Sequence, residues 1–171
     1  MRGNIRVYIA DLAAYNNGKL HGIWIDCTND VDTIQDQLTA MRAYSPQGYA
    51  AEYAIHDYEG FGDFRLSEYQ DLETVLEIAK FIHEYSDFAA GLLSHLDGNL
   101  DDAKKAAQDQ YCGCFRSLAD YAQELTESAS ELPEQVASYI DYERMGRDME
   151  LGGDVFTLEA VSGEVHVFWS F

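Results

Sequence analysis

The sequence predicts an α+β protein made of three small parts in succession. Two strand-like runs rich in β-branched and aromatic residues, "IRVYIADLAAYNNGKLHGIWID" and "DVFTLEAVSGEVHVFWSF", stand near its two ends. Between them, apolar residues recur with a helical period. Cap and turn residues separate the segments. At 171 residues and 47% hydrophobic content, the chain can bury a core.

Residues 1–61 read as an N-terminal three-stranded antiparallel sheet with a helix. "MRGNIRVYIADL" is the first strand. Asn17-Gly18 marks a hairpin, in a polar stretch that also suits a longer loop. Val31, Ile34, Leu38 and Met41 carry helical spacing, and "AEYAIHDYEGF" is the third strand.

Residues 62–107 read as a central helical unit. Ser67 with Gln70 makes a capping-box pattern ahead of Leu72, Val75, Leu76, Ala79 and Ile82. A second helix fits 87–96 behind Ser86. A third fits 100–110 behind Asn99, with Asp101 and Asp102 in the favourable first turn, and Gly98 separates the two.

Residues 108–171 read as a C-terminal α+β unit. "DQYCGCF" is extended, Ser117 caps a helix, and Pro133 restarts it. Two strands close around Ser162-Gly163. Val155, Val165, Val167 and Trp169 alternate on one face, Phe156, Leu158 and Phe168 on the other. A sheet apolar on both faces must be covered on both, by its own helices or by another chain. With Phe168, Trp169 and Phe171 crowded together, a homodimer contact is expected at Val165, Val167 and Trp169.

The charge is the unusual quantity. There are 31 acidic residues against 11 basic ones, a net charge of −20. The three parts hold 8 acids and 4 bases, 10 and 4, and 13 and 3, so none is neutral. Such a surface repels nucleic acid and anionic membrane and attracts basic partners. No apolar run is long enough to span a bilayer, and no signal-peptide pattern is present. Three cysteines without C-x-x-C spacing fit a reducing cytoplasm.

Candidate chemistry is sparse. "AIHDYEGF" gathers His56, Asp57, Tyr58 and Glu59. Neighbours on a strand point to opposite faces, however, so His56 and Asp57 cannot act as a base with its orienting carboxylate. The five histidines show no H-x-x-x-H spacing, and Cys112-Gly113-Cys114 lacks the zinc-knuckle separation. No phosphate-cradling loop, G-x-S-x-G or calcium loop occurs. No metal, cofactor or catalytic set is expected.

One constellation stands out. In "SLADYAQELTESASELPE", Leu118, Ala122, Leu125, Ala129 and Leu132 recur at helical spacing. Asp120, Glu124, Glu127, Glu131 and Glu134 follow two residues later, about 200° around a helix. A solvated face ordinarily mixes signs, yet no basic residue occurs from 117 to 143. One carboxylate per ~5 Å of helix axis is of the same order as one phosphate per ~3.4 Å of a DNA strand. Composition and spacing thus suggest a mimic of DNA.

The blocks "RVYIADLAAYNNGKLHGIWID", "AEYAIHDYEGF", "LSEYQDLETV", "FRSLADYAQEL" and "YIDYERMGRDMELGGDVFTLE" resemble the ArdA antirestriction proteins, from about Arg6 to Trp169. The resemblance implies a cytoplasmic protein of mobile genetic elements, elongated, three-domain and homodimeric. It implies a mimic of B-form DNA that occupies the DNA-binding cleft of type I restriction–modification enzymes, formed by the methyltransferase core with its DNA-specificity subunit. Incoming DNA would thereby escape restriction. No catalytic residues carry over, only carboxylates in matching blocks: Glu68, Asp71 and Glu73, with Glu77 beyond them on the same helix, then Asp120 and Glu124, then Asp141 and Glu143. The alternatives are a small metal- or acid/base-dependent hydrolase using His56, and an acidic chaperone-like binder of basic proteins.

Overall fold

A computed structural model describes residues 4–170. The fold is α+β, with two three-stranded antiparallel sheets and eight α-helical segments among the described residues. By packing, the chain divides into two compact units between Gly98 and Asn99, inside the central helical region predicted from sequence.

In the first unit, β1 (Arg6–Asp11) is the central strand between β2 (Gly22–Asp26) and β3 (Tyr53–Glu59), both antiparallel to it. Val7, Ile9, Ile25 and Ile55 are buried on this sheet. Helix α2 (Val31–Ala43) packs on β2 and buries Ile34, Leu38 and Met41, with Asp30 as its cap. Asn17-Gly18 does not form a two-residue hairpin turn. Asp11 caps a short helix, α1 (Leu12–Asn16), and Gly18 at φ +73° leads out of it. A carboxylate accepting from the Ala14 N–H, ahead of Leu12-Ala13-Ala14, starts a helical turn before the chain can reverse tightly.

Helix α3 (Leu72–Glu84) buries all five predicted apolar positions and adds Ile78 and Phe81. Its cap is Asp71, which corrects the Ser67–Gln70 box: Gln70 donates its backbone N–H to Ser67 in a turn that precedes the helix. Helix α4 (Ala89–His95) begins after Phe88 with no side-chain cap, so Ser86 is not its cap either. Burial of Phe88, Ala89, Leu92 and Leu93 holds that helix instead.

The second unit begins with α5 (Leu100–Lys105), capped by Asn99, which continues as a π-helical turn over Ala106–Gln110. The helical span 100–110 is thus as predicted, although its second half is wider than an α-helix. Strands β4 (Tyr111–Phe115), β5 (Val155–Glu159) and β6 (Val165–Trp169) form a sheet with β6 in the middle. Helix α6 (Leu118–Ala129) is capped by Ser117, as predicted. A single turn, α7 (Glu134–Ala137), follows Pro133, and α8 (Tyr142–Leu151) is capped by Asp141. Helices α6 and α8 cross closely at Gly146, where a Cβ would stand 3.0 Å from the Leu118 carbonyl oxygen.

Tyr121 and Ala122 from α6 and Met149 from α8 close over Val155 and Val167, with Val165 and Trp169 packed alongside. Val165, Val167 and Trp169 are the three residues expected at a dimer contact. Val167 has no exposed surface, and Val165 and Trp169 are half-buried in the core of their own chain. Phe171, invoked for the same contact, lies outside the described residues. On the other face Phe156 stacks on Phe168 at 5.0 Å, and the π-helical turn packs on β4 and β6.

Candidate functional site

The acidic side chains lie almost entirely at the surface. Of the 31, Asp11 is buried and Asp26 half-buried, which leaves 29 exposed. Residues 1–98 hold 16 acids and 6 bases, and residues 99–171 hold 15 and 5, so each unit carries −10. Glu68, Asp71, Glu73, Glu77, Asp120, Glu124, Glu127, Glu131, Glu134, Asp141 and Glu143 are all exposed.

They are not equivalent. Asp71 and Asp141 begin helices: Asp71 accepts from the Thr74 N–H at 2.8 Å, and Asp141 from the Arg144 N–H at 3.0 Å. The Thr74 N–H, then its hydroxyl, hold the Asp71 carboxyl below the usual range, so it stays ionised and faces water while it caps. On α3, Glu73 and Glu77 share their helix face with Lys80 and Glu84, a mixed-sign stripe like that of an ordinary solvated helix. On α8, Glu143 is followed by Arg144 and Arg147, and Arg144 Nε lies 3.8 Å from Asp148.

Helix α6 is different, because Asp120, Glu124 and Glu127 follow one another along it with no base. Gln123 Nε2 donates to Glu127 at 2.9 Å, a neutral partner. The single stripe expected as far as Glu134 is nevertheless broken, which is a correction. Helix α6 stops at Ala129, so Glu131 lies in the connector and Glu134 opens α7. Pro133 has no N–H for a continuing helix and forces Leu132 out of helical geometry.

The stretch around His56 has its carboxylates otherwise engaged. Asp57 accepts the Tyr58 N–H at 2.8 Å, and Arg6 Nε donates to Glu59 at 2.7 Å, which holds that carboxyl low. The side chain opposite His56 is Glu68, with 3.6 Å between Nε2 and the carboxylate. Sequence reasoning missed this pair, because the contact is set by the Ile55 N–H donating to the Glu68 carbonyl, which lays that loop along β3. The Tyr15 ring meets His56 edge-on at 4.7 Å, and these residues line an open depression of 370 Å³ with Ile55 and Leu66. At 3.6 Å the pair is longer than a hydrogen bond.

Burial pushes the Cys27 thiol up to about 12, so it remains protonated and unreactive. Cys112 packs on the core beneath α6, whereas Cys114 is exposed. Among the described residues, no three His, Cys, Asp or Glu side chains converge as metal ligands. Nor is any described helix long and apolar enough to cross a membrane.

The surface of the described residues therefore offers carboxylates distributed over both units. The model of the family described as antirestriction protein (ArdA) matches residues 7–161 of the 171. No match was found among curated proteins.

Proposed function

The chain belongs to the ArdA antirestriction protein family, and from that premise we propose that it inhibits type I restriction–modification enzymes by presenting carboxylates where DNA presents phosphates. The observation that carries this reading is the exposure of 29 of 31 acidic side chains, with −10 on each unit. A basic cleft built to bind duplex DNA is attracted by the same field and is filled without strand contact or chemistry. Glu68, Asp71, Glu73 and Glu77 contribute from the first unit. Asp120, Glu124, Glu127, Glu131, Glu134, Asp141 and Glu143 contribute from the second. The setting is the cytoplasm of a cell receiving a mobile element.

The reading includes a homodimer. Two chains supply twice the net charge of −20, which at one charge per ~1.7 Å matches ~70 Å of duplex, about two helical turns. The test is competition between this protein and duplex DNA carrying the recognition site for a purified type I methyltransferase core with its specificity subunit. Mutually exclusive binding is expected. A ternary complex of protein, enzyme and DNA would refute occupation of the cleft.

A further inference from the structure

One carboxylate on α6 and one on α8 are held by neutral donors. Gln123 Nε2 donates to Glu127 at 2.9 Å along α6. The Thr157 hydroxyl, on β5, donates to Glu150 of α8 at 2.7 Å. Both carboxylates are exposed, and neither takes part in an ion pair among the described residues.

Neither donor is what its own element calls for. Alanine at 123 would favour the helix more than glutamine does. Thr157 lies opposite Val167, on the face that α6 and α8 close, where valine would pack with no hydroxyl to satisfy. A base could hold either carboxylate, as Arg6 holds Glu59 at 2.7 Å, and as Arg144 stands 3.8 Å from Asp148 on α8 itself. It would also cancel the charge.

An exposed glutamate without a partner spreads over several rotamers, and like charges along a helix push one another apart. Glu127 has Glu124 three residues before it and Glu131 four residues after. A duplex presents its phosphates at a regular spacing, so a cleft shaped to them can order a wandering carboxylate only at an entropic cost. A neutral donor removes part of that cost in advance and leaves the negative charge whole.

We infer that Gln123 and Thr157 are positioning residues: they fix the carboxylates of Glu127 and Glu150 for a cationic cleft without neutralising them. Resting on the mimic reading, this role adds Glu150 to the acidic surface and gives two uncharged side chains a task in binding.

The test is binding kinetics of the whole protein on the purified methyltransferase core with its specificity subunit, beside thermal unfolding of each variant. Gln123→Ala leaves the net charge unchanged. It should weaken binding about two- to threefold, mainly through faster dissociation, while the thermal midpoint holds or rises. A side chain that served only the helix would move both quantities in the same direction. On a Glu127→Gln background, Gln123→Ala should add nothing, since Gln123 acts through Glu127. Thr157→Val should stand in the same relation to Glu150→Gln, and the two substitutions together should weaken binding about fourfold or more. Gln123→Lys still donates to Glu127, but it should raise the midpoint and weaken binding as much as Glu127→Gln does. Side-chain carbon relaxation should show Glu127 ordered in the wild type and mobile in Gln123→Ala. If Gln123→Ala with Thr157→Val binds as the wild type does while Glu127→Gln with Glu150→Gln weakens binding, the positioning role is wrong and the mimic reading stands. If Gln123→Ala costs as much on the Glu127→Gln background as alone, Gln123 touches the enzyme itself and the positioning role is again wrong. If the wild type fails to exclude duplex DNA from the core, the mimic reading falls and the positioning role with it.

Discussion

Asp11 has no exposed surface, and its carboxylate accepts the Ala14 N–H at 3.1 Å and the Ser45 hydroxyl. Burial pushes its pKa up. The Ser45 hydroxyl, the Ala14 and Ala13 N–H groups and the His21 charge outweigh that and hold it below the usual carboxylate range. With the folded pKa below the unfolded one, the resulting stability is fully present above about pH 4 and is lost as pH falls through the folded value. Asp11→Ala should cost about 2–3 kcal/mol at neutral pH, by removing a cap and stranding a buried hydroxyl. In urea unfolding, the gap between wild type and Asp11→Asn should narrow from pH 7 towards pH 3; a gap that widens on acidification would contradict the assignment. His56 calls for the opposite result. On the mimic reading its contacts with Glu68 and Tyr15 serve no reaction, so His56→Ala should leave protection of incoming DNA at wild-type level in a restriction assay. An enzyme using His56 as base would lose activity by orders of magnitude.

Helix α6 shows how far the sequence was legible and where it stopped being so. The paired apolar and acidic periods foretold a helix with Ala122 inward and Asp120, Glu124 and Glu127 outward, because burial follows the 3.6-residue period. Its end was harder to read, since Ala129 and Leu132 keep the period and only Pro133 breaks it. Caps misled where two candidates stood close together: Ser67 and Asp71 both precede α3, and the one adjacent to the first buried residue, Leu72, is used. The His56–Glu68 contact and the covering of Val167 depend on tertiary pairing, which no local period encodes. Two predictions belong at this scale. Neutralising any one of Asp120, Glu124, Glu127 or Glu131 should weaken inhibition at most about fivefold, as is usual for an exposed charge, and neutralising all four should do clearly more. A single substitution among them that abolished inhibition without unfolding the protein would overturn a distributed surface. Gly146→Ala gains about 1 kcal/mol of helix propensity but drives a Cβ to 3.0 Å from the backbone oxygen of Leu118. Overpacking against backbone costs about 1–3 kcal/mol, so the net change should be destabilising, read as a lowered thermal midpoint. A raised midpoint would mean that α6 and α8 separate freely.

For the molecule as a whole, charge acts on folding and on binding with opposite signs. A chain of net charge −20 repels itself in the compact state, because an excess of 20 acids over bases cannot be neutralised one to one. Dimerisation would double the charge, so a dimer contact would have to be apolar; Val167 itself is closed over by α6 and α8 of its own chain. Val167→Asp should accordingly unfold the second unit, as shown by lost near-ultraviolet circular dichroism, and not yield a folded monomer in sedimentation. Salt separates the two roles of charge. Screening has a range of ~8 Å at physiological ionic strength and shortens further as salt rises, so added NaCl relieves self-repulsion and should raise the thermal midpoint. The same screening removes the long-range attraction to a basic cleft, so the association rate with the restriction enzyme should fall steeply over the same range. One titration of NaCl, read by thermal unfolding and by association kinetics, therefore yields curves of opposite slope if exposed like charge is both the burden on this fold and the source of its binding. A midpoint that falls with salt would show that attractive ion pairs dominate the surface. A flat association rate would show that the carboxylates do not carry recognition.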